Sequence, residues 1–392
     1  MDISTRKQVK MLSPTVEQQL AIYHRRARFQ SAGCLLTDSD HGPRGESSPI
    51  IPYAPMRRSR VFTGTRDSGS YNHHAQVVKY KGRYFFGFSN GRKDELTEGQ
   101  RLMVSMSRDS KNWSPPNVVA GGREQKTVSH TCVGMRVERE TLFMLGRQDE
   151  ALEDPTSVGM RRVDPQQTTI NIFATVDGKT WRKSHSLQAP IRCIFEAPRT
   201  TQEGTLVCVA ALRKGAAILR WPAETLLEQP HIVPVPQPQG ASFPYGEGSW
   251  YQTDQGRIIV FWRDEGESCR LWVNYSDDDG HTFSEPMISD IPDSMSRVYA
   301  GRLPDGRFYL CNNAFATLLD RLSLMLLVGN DGTHFSRVYL LADDPTSQRC
   351  MGLLKADGYQ YPCCLPDENR LLVGYSVNKE DMECGVLDTP PL

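Results

Sequence analysis

The chain has 392 residues, and its 46 lysines and arginines balance its 46 aspartates and glutamates, so the formal net charge is zero. A balanced charge gives no overall attraction to nucleic acid or to anionic membranes, and we expect neither as a partner. No apolar run approaches the roughly 18–20 residues that a membrane-spanning helix requires. Recognition of an acidic ligand would therefore depend on a few arginines located at the binding site, and not on the overall charge.

The N-terminal segment, MDISTRKQVKMLSPTVEQQL, lacks the hydrophobic core of a signal peptide. We expect a cytoplasmic protein, or a secreted one if a leader precedes this sequence. Residues 1–30 are predicted to form a peripheral segment that is partly helical.

The ten cysteines lie mostly among apolar, strand-like residues, and no metal-type Cys-x-x-Cys pair occurs. We interpret them as reduced core residues. A disulfide framework is the less favoured alternative.

Four short segments along the chain resemble one another, and each follows a strand-like run. They are SRDSKNW (107–113), TVDGKTW (175–181), SDDDGHTF (276–283) and GNDGTHF (329–335). In a hairpin turn the Asp carboxylate caps backbone N–H groups, Gly takes positive φ, and the aromatic folds back under the turn. We therefore predict that Asp109, Asp177, Asp278 and Asp331 occupy equivalent outer turns of one repeated unit.

A second repeat, of polar start, turn and apolar strand, is interleaved with the first at spacings of roughly 50–60 residues. Its six copies are HHAQVVKYKGRYFFGFS, SHTCVGMRVERETLFMLG, EAPRTTQEGTLVCVAAL, EGSWYQTDQGRIIVFWR, SRVYAGRLPDGRFYLCN and YPCCLPDENRLLVGYS. The spacing is about that of one four-stranded propeller blade, and crossover helices for a βαβ fold are missing.

The two repeats together resemble the Asp-box, or BNR-repeat, β-propellers of the sialidase-like family. The resemblance implies an all-β, six-bladed propeller over residues 31–392, with seven blades as the alternative. The tract 31–67, which contains SRVFTGT, is expected either to close the ring or to begin a seventh blade.

Polar or aromatic residues recur at the same aligned positions near the start of these six repeats. A structural strand would normally carry Val, Ile or Thr there. The innermost strand of each blade lines the propeller axis, and its first residues face the mouth of the funnel. Titratable residues at these positions predict a shared polar site. Any one of them, taken alone, is better interpreted as a solvated edge residue. The set is His73, His74, His130, Glu196, Arg199, Glu247, Trp250, Arg297, Tyr299 and Tyr361.

Four residues also follow the order found in sialidases, where a carboxylate and an arginine on the fourth blade precede an arginine on the fifth and a tyrosine on the sixth. The matching residues are Glu247, Arg263, Arg297 and Tyr361. The resemblance implies a sialidase-like glycoside hydrolase in which the tyrosine is a neutral nucleophile and the glutamate takes its proton. The arginines would bind the sugar carboxylate. Asp67 is the candidate general acid.

Two features depart from the sialidase pattern. The Arg-Ile-Pro sequence that supplies the family's first arginine is absent, and Arg60 and Arg66 are substitutes by position only. The pair His73–His74 is not required by a sialidase.

These histidines suggest a second chemistry, the β-elimination of a uronate-containing glycan by a polysaccharide lyase. In such propellers a neutral His removes the proton α to the carboxylate, Arg neutralises the carboxylate, and Tyr protonates the leaving oxygen. His74 or His130, with Arg297 and Tyr361, fits that scheme. Rhamnose–glucuronate-cleaving propellers are another histidine-dependent group of sialidase-like fold.

A non-catalytic glycan-binding propeller is the third class, because Trp250, Trp262, Tyr299 and Tyr361 can stack on sugar faces. The number of titratable residues favours an enzyme over a lectin.

The expected partner is an oligosaccharide or polysaccharide that contains an acidic sugar. No cofactor is expected to be required. Calcium shared by Glu196 and Glu247 is the one metal considered, although no metal-loop spacing supports it.

Overall fold

The computed structural model describes residues 8–31, 51–155, 161–188, 190–222, 225–238, 243, 245–266 and 268–388. In these residues the chain forms six antiparallel sheets and one long helix. Each sheet is one blade of a β-propeller, numbered here by the order of the innermost strands. The described chain begins with helix α1 (Pro14–Ser31) and strand β1 (Arg57–Thr63).

Within each blade the strands follow one another from the inside of the ring outward. Blade 1 contains β2 (Tyr71–Tyr80), β3 (Arg83–Gly91), β4 (Arg101–Ser107) and β5 (Asn117–Ala120). Blade 2 contains β6 (Val128–Glu138), β7 (Thr141–Pro155), β8 (Arg161–Thr175) and β9 (Arg182–Leu187). Blade 3 contains β10 (Ile191–Ile194) and β11 (Arg199–Thr200), which both pair with β12 (Leu206–Leu212), then β13 (Ala216–Trp221) and β14 (His231–Pro234).

The second half of the ring follows the same plan. Blade 4 contains β15 (Tyr245–Gln252), β16 (Ile258–Asp264), β17 (Arg270–Ser276) and β18 (Met287–Pro292). Blade 5 contains β19 (Tyr299–Arg302), β20 (Phe308–Asn312), β21 (Leu324–Gly329) and β22 (Arg337–Ala342). Blade 6 contains β23 (Tyr359–Asp367), β24 (Arg370–Val377), β25 (Asp381–Asp388) and, outermost, β1.

Tight turns join the first two strands of each blade, and the turn of blade 1 shows why the sequence folds this way. Tyr80 at the end of β2 pairs directly with Arg83 at the start of β3. Between them Lys81 and Gly82 both have positive φ, 47° and 70°, as a two-residue type I′ hairpin requires.

The hydrophobic core lies between neighbouring blades, because each sheet is covered on both faces. Strand β21, LMLLVG, is buried along its whole length for this reason and is apolar without alternation. Phe261 and Phe308 belong to the cluster between blades 4 and 5. Tyr309 and Tyr375 belong to the cluster between blades 5 and 6.

The aspartates of the four Asp-box segments occupy equivalent turns, between the third and fourth strands of blades 1, 2, 4 and 5. Each carboxylate accepts backbone N–H groups two to four residues further on: Asp109 from residues 111 and 112, Asp177 from 179 and 180, Asp278 from 282, and Asp331 from 333 and 334. The closing aromatics pack inward, as Trp113 does against Phe86 with ring centroids 5.7 Å apart. The predicted equivalence of these turns is confirmed.

Strand β1 closes the ring. It pairs with β25 from Arg57 opposite Val386 to Thr63 opposite Asp381. The outermost strand of blade 6 therefore comes from the N-terminal side of the propeller, while its other three strands come from the C-terminal end. The tract that contains SRVFTGT completes a sixth blade and does not begin a seventh; residues 32–50 of that tract lie outside the described residues.

The described N-terminal segment, residues 8–31, packs against blades 4 and 5. Val9 and Leu12 form single β-bridges to Ser289 and Phe335. The buried Asp290 carboxylate accepts the N–H groups of Met11 and Leu12 at 2.7 and 3.2 Å. Among the described residues, no helix combines the length and the apolar character that crossing a membrane would require.

All nine cysteines in the described part of the chain are free thiols, and seven of them are buried. The seven buried thiols lie in the core, as the sequence predicts, whereas Cys269 and Cys350 are partly exposed. Cys34 lies outside the described residues.

Candidate active site

A cavity of about 800 Å³ opens where the innermost strands of the six blades begin. Every blade contributes to it, through residues at or just before the start of its first strand. These are His74 in blade 1, Thr131–Val133 in blade 2, Arg192–Phe195 in blade 3, Gly246 and Glu247 in blade 4, Arg297 before blade 5, and Tyr361 in blade 6. The cavity thus lies at the position that the repeats predict for a shared polar site.

Two of these side chains are placed by matching β-bulges. In blade 1 the register shifts between His73 and Gln76, and His74 has φ 62°. In blade 6 it shifts between Gln360 and Cys363, and Tyr361 has φ 55°. Positive φ is uncommon for residues with a Cβ, and bulges turn a side chain away from its regular alternation. His74 and Tyr361 are therefore structurally equivalent positions, both directed into the cavity.

Tyr361, Glu247 and Arg263 form a hydrogen-bonded group across the cavity. The Tyr361 hydroxyl donates to Glu247 Oε1 at 2.5 Å. Arg263 Nη1 donates to the Tyr361 oxygen at 2.8 Å and to Glu247 Oε2 at 2.5 Å. Blade 4 supplies the glutamate and the arginine, and blade 6 supplies the tyrosine.

The charges in this group determine its protonation state. Burial alone would raise the pKa of Glu247, but the Arg263 charge and the hydrogen bonds from Tyr361 and Arg263 lower that pKa to about 2. Burial raises the pKa of Tyr361 well above its usual range, and the Glu247 charge adds to this against the opposing effect of Arg263. At neutral pH the pair is a neutral phenol hydrogen-bonded to a carboxylate.

Arg297 places a buried cation at the cavity. The residue is 2% exposed, and within the described part of the chain neither its Nε nor its Nη2 has a hydrogen-bond partner. Leaving buried donors on a charged group unsatisfied is costly, so such a group indicates an anionic ligand.

Arg321 adds a second guanidinium that has no carboxylate partner among the described residues. Its Nη1 donates to Gln360 Oε1 at 2.8 Å and its Nη2 to the Met295 carbonyl at 2.7 Å. The guanidinium carbon lies 5.6 Å from the centre of the Tyr361 ring. These contacts hold the cation beside the tyrosine.

His74, Glu95 and Lys379 form a chain of polar contacts beside Tyr361. His74 Nε2 lies 3.4 Å from Glu95 Oε1, and Lys379 Nζ lies 2.5 Å from Glu95 Oε2. Burial lowers the pKa of His74. Burial would raise the pKa of Glu95, but Lys379 and His74 lower it well below its ordinary value. The result is a neutral imidazole next to an ionised carboxylate.

The contacts of His74 with Ser89 and Glu95 favour one tautomer of the ring. Ser89 Oγ accepts the Cys132 N–H at 2.8 Å and lies 3.1 Å from His74 Nδ1. The Ser89 proton is thus free to donate to Nδ1, which leaves Nε2–H to donate to Glu95. Both ring nitrogens of His74 are therefore engaged by the protein.

Glu265 is a further carboxyl group at the cavity, next to the tyrosine–glutamate pair. Its Oε1 lies 3.8 Å from Arg263 Nη2, and its side chain is half exposed. Burial raises its pKa, the Arg263 charge opposes this, and the Glu247 charge adds to it. A carboxyl group with a raised pKa is suited to donate a proton.

The structure does not bring Asp67 or His130 to the cavity, which corrects their expected positions. Asp67 is exposed in the turn that spans residues 66–68. His130 is 6% exposed, pairs regularly with Gln148, and places its ring against Gly121 of blade 1. The bulge of blade 2 falls later, between Cys132 and Gly134, so the cavity face is reached at Thr131–Val133.

Four further predicted residues lie later along the innermost strands, in a buried network outside the cavity lining. Glu196 accepts from Arg199 Nη2 at 2.8 Å and from Ser249 Oγ at 2.7 Å. The Arg199 guanidinium carbon lies 4.8 Å from the centre of the Trp250 ring and 5.5 Å from that of Tyr299. These side chains satisfy one another between blades 3, 4 and 5.

His73 lies behind the cavity wall. It is fully buried, its Nδ1 is 2.7 Å from Ser376 Oγ, and its ring centroid is 4.1 Å from that of Tyr361. Burial lowers its pKa well below the ordinary value. A neutral ring in this place supports Tyr361 by packing.

The two arginines considered as substitutes for the missing first arginine also lie outside the cavity lining. Arg60 forms ion pairs with Asp381 and, at 2.9 Å, with Glu383. Arg66 is exposed.

The residues considered for calcium lie in separate networks, since Glu196 contacts Arg199 and Ser249, whereas Glu247 contacts Arg263 and Tyr361. Over the part of the chain that the structure describes, no group of three or more His, Cys, Asp or Glu could hold a metal ion.

Seven charged cavity residues escaped the sequence reasoning, and four of them share one location, the connection between the second and third strands of a blade. These four are Glu95, Glu265, Arg321 and Lys379. Antiparallel strands bring the end of the second strand beside the start of the first, so these connections surround the same mouth. For Glu95, Glu265 and Lys379 the signal was present as charged residues at or directly after the second strand, in GRKDEL, RDEGES and NKED.

Residues 85–373 match the family model described as a BNR repeat-like domain. No curated protein matches the chain. A solved protein of unknown function from Dyadobacter fermentans has 17% identity and a TM-score of 0.65, over 85% of this chain and 99% of that one. The NanB sialidase from Streptococcus pneumoniae has 12% identity and a TM-score of 0.61, over 91% of this chain and 73% of its own.

The Trypanosoma rangeli sialidase, solved as a covalent intermediate with 2,3-difluorosialic acid, has 12% identity and a TM-score of 0.62, over 86% of this chain. This chain spans only 59% of that sialidase. At such identities the structural likeness shows the fold alone, whereas the family model covers most of the chain. The chain therefore belongs to the BNR repeat-like family and folds as a six-bladed β-propeller of the sialidase-like kind.

Proposed function

We propose that this protein is a glycoside hydrolase that cleaves the bond between an acidic sugar and its aglycone. The observation that carries the proposal is the 2.5 Å hydrogen bond from the Tyr361 hydroxyl to the ionised Glu247, inside a cavity that is also lined by the buried Arg297. A carboxylate in this position can take the phenol proton as the oxygen attacks. A neutral nucleophile also approaches an anionic sugar without charge repulsion.

The charges around the cavity favour an acidic ligand. Seven basic side chains line it, at Arg147, Arg192, Arg263, Arg297, Arg321, Lys355 and Lys379, against three acidic ones, at Glu95, Glu247 and Glu265. Most of the basic groups have carboxylate neighbours, but Arg297 retains two unpaired, buried nitrogens. A sugar carboxylate would satisfy them through charge-assisted hydrogen bonds.

The proposed reaction has two steps. In the first, Tyr361 Oη bonds to the anomeric carbon as the glycosidic C–O bond breaks; the phenol proton passes to Glu247, and the leaving oxygen takes a proton from Glu265. In the second, water attacks the anomeric carbon as its bond to Tyr361 Oη breaks; one water proton passes to Glu265, and the released Tyr361 oxygen takes back the proton held by Glu247. The covalent intermediate of the similar Trypanosoma rangeli sialidase supports a covalent route.

Elimination is the weaker alternative, because it requires a base with a free lone pair. His74 is neutral, but its Nδ1 faces Ser89 and its Nε2 faces Glu95. His130, the other candidate base, lies outside the cavity lining. These contacts favour hydrolysis.

The test is incubation of the purified chain with sialosides and with uronate-containing oligosaccharides. Released reducing ends and the ultraviolet absorbance of unsaturated uronates are both followed. Hydrolysis produces reducing ends alone, and elimination produces both signals. A glycan-binding protein produces neither, which would overturn the proposal.

A further inference from the structure

Four leucines form one side of the cavity mouth: Leu96, Leu319, Leu353 and Leu354, here named the leucine lip. Leu353 is 58% exposed, Leu319 is 57% exposed and Leu354 is 40% exposed. Single exposed leucines are ordinary on protein surfaces, but a cluster at a binding cavity marks a contact surface.

Two of the lip residues have an unfavourable backbone conformation. Leu96 has φ 51° and Leu319 has φ 59°, in the left-handed region that residues with a bulky side chain rarely adopt. Folding retains such strain where the surroundings require it, and strained residues cluster at ligand sites. Here the strained conformation belongs to two leucines that face the same opening.

Backbone hydrogen bonds hold the lip in place. The fully buried Asp94 carboxylate accepts the N–H groups of Leu353 and Leu354 at 2.8 and 3.0 Å. Leu319 donates its N–H to the Ser294 carbonyl at 3.0 Å. The leucine side chains are thus fixed at the mouth through their main chain.

The lip is continuous with the charged interior. Leu96 follows Glu95 directly, Leu354 precedes Lys355, and Leu319 lies two residues before Arg321, all of which line the cavity. A ligand whose anionic sugar reaches the cations can therefore extend out of the cavity along apolar side chains. This arrangement matches a molecule with a charged sugar at one end and an apolar group at the other.

We propose that the leucine lip binds the apolar aglycone of the substrate, an alkyl or lipid chain attached to the acidic sugar. The inference rests on the proposed function and deepens it, because it assigns the substrate to the class of anionic glycolipids. Burial of the chain against the lip removes apolar surface from water and lowers the dissociation constant. A glycan aglycone has no alkyl chain to bury against the lip, so its binding gains no such contribution.

The test compares octyl and methyl glycosides of sialic acid and of glucuronic acid, kept below micelle formation. Dissociation constants are measured by calorimetry with the Tyr361→Phe chain, which prevents turnover from obscuring binding. The octyl glycoside of the recognised sugar is expected to bind about tenfold more tightly than the methyl glycoside, with a more negative heat-capacity change. The double variant Leu319→Ser, Leu353→Ser, made in the Tyr361→Phe chain, should reduce the octyl-to-methyl affinity ratio towards one.

Leu227→Ser in the same background is the matched control, because Leu227 is 51% exposed and lies outside the cavity lining. It should keep the full octyl-to-methyl ratio. Equal binding of the two glycosides, or binding of neither, would overturn the lip as an aglycone site and would point to another occupant, such as a protein segment. Tight octyl binding without turnover by the wild-type chain would instead overturn the hydrolase and leave the lip supported.

Discussion

The Tyr361 hydroxyl lies 2.5 Å from Glu247 Oε1, although the two residues are 114 positions apart and belong to different blades. Arg263 Nη1 donates to the Tyr361 oxygen and to the other carboxylate oxygen, Glu247 Oε2. The group assembles only because the innermost strands of blades 4 and 6, which flank blade 5, both begin at the mouth of the ring.

Replacement of Tyr361 by Phe removes the hydroxyl and should lower turnover by about 10²–10⁴-fold or more while the fold is retained. The ring keeps its packing against His73, so the circular dichroism spectrum and the melting temperature should change little. The matched control is Tyr299→Phe, since Tyr299 lies outside the cavity lining. Normal turnover by Tyr361→Phe on the true substrate would remove the proposed nucleophile.

Replacement of Arg297 by Met should affect binding and stability in opposite directions. Loss of the cation should raise KM for an acidic substrate by about tenfold or more, with less effect on a neutral analogue. Removal of a buried, unpaired guanidinium should stabilise the fold by roughly 1–3 kcal/mol. Steady-state kinetics and urea unfolding measure the two effects; a destabilised variant with unchanged KM would show that the guanidinium has a structural role.

Replacement of Glu265 by Gln should slow the hydrolysis of glycosides with poor leaving groups more than that of glycosides with good ones. A nitrophenyl glycoside needs little proton donation and should lose little activity, whereas an alkyl glycoside should lose about 10²-fold or more. Equal losses for both leaving groups would exclude Glu265 as the general acid.

The pH profile provides an independent readout. Glu265 must be protonated to act, so activity should fall as pH rises through its raised pKa, and Glu265→Gln should abolish that alkaline limb. Glu247 must be ionised, and because its pKa is about 2 it should produce no acid limb above pH about 3.

His130 should affect stability at acid pH and not catalysis. Burial lowers its pKa to about 4 from an ordinary 6.5, so the unfolded chain binds more protons between these values. Its contribution is therefore lost as pH falls from 6.5 to 4, by up to about 3 kcal/mol. His130→Phe should unfold with a weaker dependence on pH in this range, measured by urea titration at several pH values. A large loss of activity at pH 7 would contradict its position outside the cavity.

Local pattern was enough to predict the propeller fold of this protein, because its signals are carried by neighbouring residues; the choice between six and seven blades needed the pairing of β1 with β25. The Asp109 carboxylate bonds to residues 111 and 112 in its own turn, so the segment SRDSKNW contains the whole interaction. The six strand-and-turn copies likewise specify one blade each.

Only the tertiary structure decided which side chains reach the cavity. The bulges at His74 and Tyr361 change the phase of the strand at a single residue, and in blade 2 the bulge comes later, which leaves His130 outside. Glu95, Arg321 and Lys379 lie on the connections between the second and third strands of their blades. Antiparallel pairing returns these connections to the end of the blade where the first strand begins, so the three side chains reach the mouth. The charged segments after these strands are visible in the sequence, but their convergence depends on contacts between blades that are distant in sequence, which a local pattern does not specify.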